Sequence, residues 1–318
     1  MFNKILFATT TTPTCDHAAH VAFDLAKKYQ SEFHVFNVFG RPTRSFSTQV
    51  TDTRTGAEEQ YYDKDYVEWV KEEIKNTYDK QIKEYGNVKI DALVGVPHTE
   101  ILRKARKADI DLIVMGAHSR EEDIGATRYR AAVGSTMQRV AKGAMCPVLI
   151  VSRPCTTCLW YFSNIIFGTD FSKASMSAFK FAFNLAKHIG AKIHLFSALD
   201  LSPMHAGKIE SQADIEDKIA AARKRMEDTY ISQMGDYDNY ALEVWEGIPY
   251  VEILKYSREN NGDLIVMSHH TREIDPEKAL LGSTVEQVVL RASCPVASVN
   301  RPHKVELDQE DIGSSDTD

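Results

Sequence analysis

The sequence predicts an α/β protein of two tandem open, mostly parallel five-stranded sheets with helices on both faces. Two observations carry that prediction. The chain repeats itself once, and within each copy short apolar runs alternate with stretches of helical spacing, the pattern of a parallel sheet covered on both sides. The length of 318 residues agrees with it, since roughly 100–200 residues make one domain.

The repeat is explicit. Asp111-Leu112-Ile113-Val114-Met115 recurs as Asp263-Leu264-Ile265-Val266-Met267, and Gly134-Ser135-Thr136 as Gly282-Ser283-Thr284. Cys146-Pro147-Val148 recurs as Cys294-Pro295-Val296. Upstream, Phe23, Leu25, Ala26, Lys27, His34 and Phe36 match Phe183, Leu185, Ala186, Lys187, His194 and Phe196. The offset falls from 160 to 152 to 148 along the chain, so the first copy holds extra residues between Phe36 and Gly95 and between Met115 and Gly134. The two domains are expected at 1–154 and 161–302, followed by an acidic tail, 303–318, expected to be disordered.

In the first copy, residues 4–9 form a short apolar strand. Residues 16–29 place Ala19, Ala22, Phe23 and Ala26 at helical spacing, and 33–39 are β-rich. Residues 58–85 read as one long charged helix whose Tyr62, Tyr66, Trp69 and Tyr78 pack against the sheet. Then come a third strand at 89–94, a helix at 99–107 opened by a Thr99 cap, a fourth strand at 112–115, a helix at 135–142 and a fifth strand at 148–151. The second copy gives strands near 165–169, 193–198, 240–245, 264–267 and 296–299. The fifth strand would lie at a sheet edge, where Val148, Leu149, Ile150 and Val151 invite pairing. With 296–299 tethered nearby, the pairing is expected within the chain, as a pseudo-dimer.

Composition narrows the function. With 43% hydrophobic and 26% charged residues, the chain is neither wholly disordered nor collagenous, and five cysteines make no disulfide scaffold. Of the net charge of −7, the last fifteen residues supply −5, through six acids and one lysine. The folded body is therefore nearly neutral, which argues against nucleic acid or an anionic membrane as a partner. No apolar run approaches the ~18 residues of a membrane span, and residues 1–8 are no secretory signal, so the cytoplasm is the expected address.

Ligands of open parallel sheets bind beyond the carboxyl ends of strands where the strand order reverses. That singles out Thr10 and residues from Met115 and Gly116 to Gly134 in the first copy, and Asp170 and residues from Met267 and Ser268 to Gly282 in the second. Both stretches run into Gly-Ser-Thr at a helix start: Gly134-Ser135-Thr136 and Gly282-Ser283-Thr284. There a serine can cap the helix and free amides favour an anion. His118, Arg120, His270 and Arg272 can add positive charge.

At these residues, together with Ile5-Leu6-Phe7 and the two Cys-Pro-Val segments, the sequence resembles the universal stress protein family. Two such domains with an acidic end are similar to its tandem, E-type members. The resemblance implies strand order 3-2-1-4-5 and a cytoplasmic stress-response or regulatory module. It also implies an adenine nucleotide, ATP or AMP with Mg, held by Gly-x2-Gly-x9-Gly-Ser/Thr after strand four and an aspartate after strand one. Members lacking that motif do not bind ATP, and single-domain relatives pair between chains at the fifth strand, as the two copies are expected to do here within one chain; a homodimer of the whole chain is a separate expectation.

Both copies depart from the motif. The first keeps Gly116 and Gly134, but Ser119 replaces the second glycine, fourteen residues follow it instead of nine, and Thr10 stands where the aspartate belongs. Its longer loop carries Arg128, Tyr129 and Arg130. The second keeps Asp170 and a loop of nearly the family length, but Ser268 and Thr271 replace both leading glycines. The second copy is the expected adenosine site, with weak affinity. Two rival readings stay open: a ligand-free scaffold for an unknown protein partner, and a slow ATPase. No catalytic residue or metal-ligand set is assigned. Cys155 and Cys158 form a lone C-x-x-C, His17 and His20 lie on a helix's first turn, and Cys146 and Cys294 read as buried structural thiols.

Overall fold

The computed structural model describes residues 1–42, 49–51, 60–61, 64–117, 135–153, 162–200, 211–268 and 283–301. The linker cysteines Cys155 and Cys158, the acidic tail, Gly134, Gly282 and the histidines and arginines of both loops lie outside them.

The first copy runs β1 (Lys4–Ala8), α1 (Asp16–Tyr29), β2 (Glu32–Phe39), β3 (Arg41–Pro42), β4 (Gln49–Thr51), β5 (Gln60–Tyr61), α2 (Lys64–Thr77), α3 (Asp79–Tyr85), β6 (Val88–Val94), α4 (Pro97–Lys107), β7 (Leu112–Gly116), α5 (Ser135–Gly143) and β8 (Val148–Val151). The second runs β9 (Asn164–Gly168), α6 (Lys173–Ile189), β10 (Lys192–Leu199), α7 (Gln212–Thr229), β11 (Tyr240–Glu246), α8 (Pro249–Glu259), β12 (Leu264–Met267), α9 (Ser283–Arg291) and β13 (Val296–Ser298).

The two expected sheets are halves of one. Its ten strands lie in the order β11-β10-β9-β12-β13-β8-β7-β1-β2-β6, so each half has the order 3-2-1-4-5. All neighbours are parallel except β13 and β8, which pair antiparallel through Val296↔Ile150, Ala297↔Leu149 and Ser298↔Val148. The expected intrachain pairing of the fifth strands is therefore present. Further contacts cross the seam. Gln138 Nε2 donates to Glu286 Oε1 at 2.9 Å, Asn300 Nδ2 donates to the Ala141 carbonyl at 2.8 Å, and Phe2 meets Phe181 at 6.2 Å between ring centroids.

Alternating strand residues face two cores. Ile5, Phe7, Phe33, Leu112 and Val114, with Ile165, Phe167 and Leu195, pack under α1, α2, α6 and α7. Leu6, Phe36, Ile113, Val148 and Ile150, with Ile166 and Ile265, pack under α4, α5, α8 and α9. Both cores run unbroken across the seam.

Three sequence expectations change. The long helix at 58–85 begins at Lys64 and breaks after Thr77, because Tyr78 (φ −110°, ψ 24°) turns its ring into the core; Gln60–Tyr61 pairs with Gln49–Thr51 in a small antiparallel sheet. Of its aromatics, Tyr66 packs on Phe39 at 5.2 Å, whereas Trp69 is 54% exposed. The helix expected from Thr99 starts at Pro97 after Val96, with no side-chain cap, since proline's missing N–H is one that the first turn leaves unused anyway. Cys146 and Cys294 are buried free thiols, and burial pushes Cys294 up to about 12.

Two equivalent aspartates immediately precede the fourth strands. Asp111 Oδ2 accepts from the Asn3 and Lys4 amides at 2.9 Å each. Asp263 accepts from the Ser163 amide at 2.6 Å and the Asn164 amide at 3.2 Å. Each aspartate thus ties the start of strand one to that of strand four. Nearby, His194 lies buried between Tyr256 OH, 2.9 Å from Nδ1, and Asn164 Oδ1, 3.3 Å from Nε2. Burial, then neighbouring Lys192, push its pKa down to about 4. Neutral His194 therefore contributes stability above pH 6.5 that is lost as pH falls toward 4. We expect the stability advantage of the unaltered protein over His194→Gln to shrink across that window, by up to about 3 kcal/mol in urea titrations. A pH-independent difference would contradict this.

Candidate functional site

The turns that follow β1 and β9 have the same construction. Thr9 and Thr169 immediately follow their strands, and Thr11 (φ 58°) and Phe171 (φ 60°) take left-handed backbone, a conformation costly for β-branched and bulky residues. Each left-handed amide donates to the preceding threonine: Thr11 N to Thr9 Oγ1 at 3.0 Å, Phe171 N to Thr169 Oγ1 at 2.9 Å. Each of these hydroxyls also pairs with a buried tyrosine, Tyr78 or Tyr230, at 2.6 Å. From strand two, Asn37 Nδ2 donates to the Thr9 carbonyl at 2.8 Å and Ser197 Oγ donates to the Thr169 carbonyl at 3.3 Å.

On this shared frame the two copies carry different groups. In the second, exposed Asp170 follows Thr169. Its Oδ1 accepts from the Ser172 amide at 2.9 Å and from Ser175 Oγ at 2.5 Å. Ser175 Oγ in turn lies 3.2 Å from Ser268 Oγ, beyond the end of β12. The ends of strands one and four, in parallel register at Gly168↔Met267, are thereby bridged by Asp170, Ser175 and Ser268. Ser172 also caps α6, accepting from the Ser175 amide at 3.2 Å. The Arg225 guanidinium lies 4.4 Å from the centroid of the Phe171 ring, setting a cation beside the turn.

In the first copy Thr10 replaces the aspartate. Its Oγ1 meets Thr12 Oγ1 at 2.8 Å and Cys15 Sγ at 3.3 Å. Gly116 stands at the end of β7 where the second copy has Ser268, and Glu73 Oε1 accepts from Thr11 Oγ1 at 3.3 Å. The ends of strands one and four thus gather a carboxylate, serines and an arginine in the second copy, and threonines, a thiol and a glutamate in the first.

The remaining candidates fall as follows. Met115 and Met267 are buried in the core beneath α4, α5, α8 and α9. Ser135 and Ser283 are the first residues of α5 and α9; Ser135 is exposed, and Thr136 and Thr284 are half-buried in the first turns. Sequence reasoning missed Ser175 and Tyr230, and it read Tyr78 only as packing against the sheet, which it does, on Phe7 at 5.6 Å. The tyrosines carried a signal, since Thr77-Tyr78 and Thr229-Tyr230 recur at the offset of 152. Among the described residues no group of three or more His, Cys, Asp or Glu side chains is placed to hold a metal ion, and no helix is long and apolar enough to cross a membrane.

The profile of the universal stress protein family matches residues 1–152 and 162–300. Universal stress protein MJ0531 of Methanocaldococcus jannaschii is 30% identical over 145 residues, 45% of this chain and 85% of that protein. Universal stress protein MJ0577 of the same organism is 30% identical over 164 residues, 48% of this chain and 96% of that protein. The crystal structure of a universal stress protein from Archaeoglobus fulgidus shares the fold, with a TM-score of 0.64 at 21% identity, covering 94% of this chain and 96% of that one.

Proposed function

The chain belongs to the universal stress protein family, as two tandem copies, and from that premise we propose that it is a stress-response regulatory module that binds an adenine nucleotide in its second copy. The observation that carries this reading is the placement of Asp170. Its carboxylate is fixed by the Ser172 amide and Ser175 Oγ at the mouth between strands one and four, where ribose hydroxyls can donate to it. The Ser268 hydroxyl lies 3.2 Å from Ser175 Oγ and so joins the same network. The phosphates of ATP or AMP, with Mg for the triphosphate, are assigned to Gly282-Ser283-Thr284 at the start of α9, whose free amides favour anions. Thr10 offers no carboxylate, so the first copy is not expected to hold adenosine in this way.

Isothermal titration with ATP and magnesium tests this reading. The unaltered protein should bind with a Kd of roughly 0.1–1 mM. Asp170→Ala should weaken binding by roughly tenfold, the loss of a charge-assisted hydrogen bond, while a folded Gly116→Trp should leave it unchanged. Loss in Gly116→Trp with Asp170→Ala intact would move the site to the first copy. No heat at millimolar ATP would favour a ligand-free scaffold for a protein partner, a reading consistent with how Ser175 and Ser268 already satisfy one another.

A further inference from the structure

The threonine–tyrosine hydroxyl pair behind each strand-one turn is the same in both copies, whereas the side chains around it are not. Thr9 and Thr169 match, as do Tyr78 and Tyr230, and each tyrosine immediately follows the last residue of its helix, α2 or α7. The contact distances agree within 0.1 Å, and the φ angles of Thr11 and Phe171 within 2°. By contrast Thr10 has become Asp170, Cys15 Ser175, Gly116 Ser268 and Glu73 Arg225. Between the copies these four positions differ while the hydroxyl pair does not.

We propose that Tyr230, and Tyr78 in the first copy, are positioning residues of the clefts: through the threonine hydroxyl each holds the left-handed turn that aims Asp170 or Thr10. For the second copy this rests on the nucleotide reading above. A left-handed Phe171 persists only if its surroundings over-determine it. Three contacts do so: its amide on Thr169 Oγ1, its ring on Tyr230 at 6.2 Å, and the Arg225 guanidinium on that ring. Tyr230 makes the second of them and, through its own hydroxyl, holds the Thr169 hydroxyl that makes the first. It is 1% exposed, and burial raises its pKa, so its hydroxyl stays protonated and the pair stays intact at neutral pH. If the pair is lost, Phe171 can relax toward negative φ, which swings the adjoining Asp170 peptide and breaks its bonds to the Ser172 amide and Ser175 Oγ.

The test uses the full chain and two measurements. Hydrogen exchange reads the turn without any ligand. Tyr230→Phe should speed exchange of the Phe171 and Ser172 amides about fivefold, the equivalent of one net hydrogen bond. Titration with Mg–ATP reads the cleft. Tyr230→Phe and Thr169→Val should each weaken binding about fivefold, and Thr169→Ser should restore it. Tyr237→Phe serves as the structural control. That tyrosine donates to the Ala186 and Ala191 carbonyls at the opposite end of the strands, so its loss should lower the melting temperature and spare binding. Unchanged exchange in Tyr230→Phe would overturn the inference whether or not nucleotide binds. So would equal loss of binding in Tyr237→Phe. Faster exchange with no ATP binding by the unaltered protein would instead sink the nucleotide reading and leave the turn-holding role standing.

Discussion

Ile150→Pro should split the unfolding of this protein into two transitions and lower the melting temperature of its first half by roughly 10 °C. Ile150 is 1% exposed in β8, which is flanked on both sides, by β7 in parallel and by β13 in antiparallel. Each β8 amide therefore points toward one neighbouring strand or the other, and a proline has no amide to give. The substitution also replaces a buried isoleucine, for a combined cost of about 3 kcal/mol or more. Because both cores run across the seam, opening it uncouples them. Ile150→Val, which keeps the ladder, should cost only about 1 kcal/mol and preserve a single transition. Differential scanning calorimetry that finds one unshifted transition in the proline variant would refute the shared sheet as the source of cooperativity.

Asp263→Ala should cost about 3 kcal/mol at pH 5 and roughly 1 kcal/mol less at pH 8. Its removal leaves the Ser163 and Asn164 amides without their acceptor at the start of β9, in the middle of the second half-sheet. The pH dependence follows from burial, which pushes Asp263 up to about 6 against the opposing effect of those amides. A folded-state pKa above the unfolded value of 3.8 means that the folded protein binds the proton more tightly. The aspartate's contribution is then full below pH 3.8 and declines as pH rises through 6. Chemical denaturation of both proteins at several pH values reads the difference directly. A larger cost at pH 8 than at pH 5 would reverse the sign and show that the carboxylate is ionised more easily in the fold.

The repeat and the alternation of apolar runs with helices were legible, because both are dictated by the period of burial. Ten strands of the main sheet fall within a residue or two of where apolar runs place them, as with Val148–Val151 and Leu264–Met267. What escaped was fixed by distant partners. Tyr78 breaks a helix that its own neighbours favour, because its hydroxyl finds Thr9, 69 positions away. The short strands Arg41–Pro42, Gln49–Thr51 and Gln60–Tyr61 have too few residues for any periodicity to register. In the cleft, Asp170 stood out through a family pattern, but Ser175 had no local mark. It matters because the turn from β9 into α6 brings its hydroxyl between Asp170 and Ser268.

The seam has a consequence in mass action. A dimer joined through the same two strands would come apart on dilution, each halving of protein shifting the balance toward free subunits. Here both strands belong to one chain, so their effective concentration is set by the tether and not by how much protein the cell holds. The pairing of β8 with β13 therefore survives at any abundance, and neither half can exchange its partner for one from another chain without first unfolding the seam. That permanence lets two unlike clefts stay matched one to one, which a mixture of freely exchanging subunits would scramble.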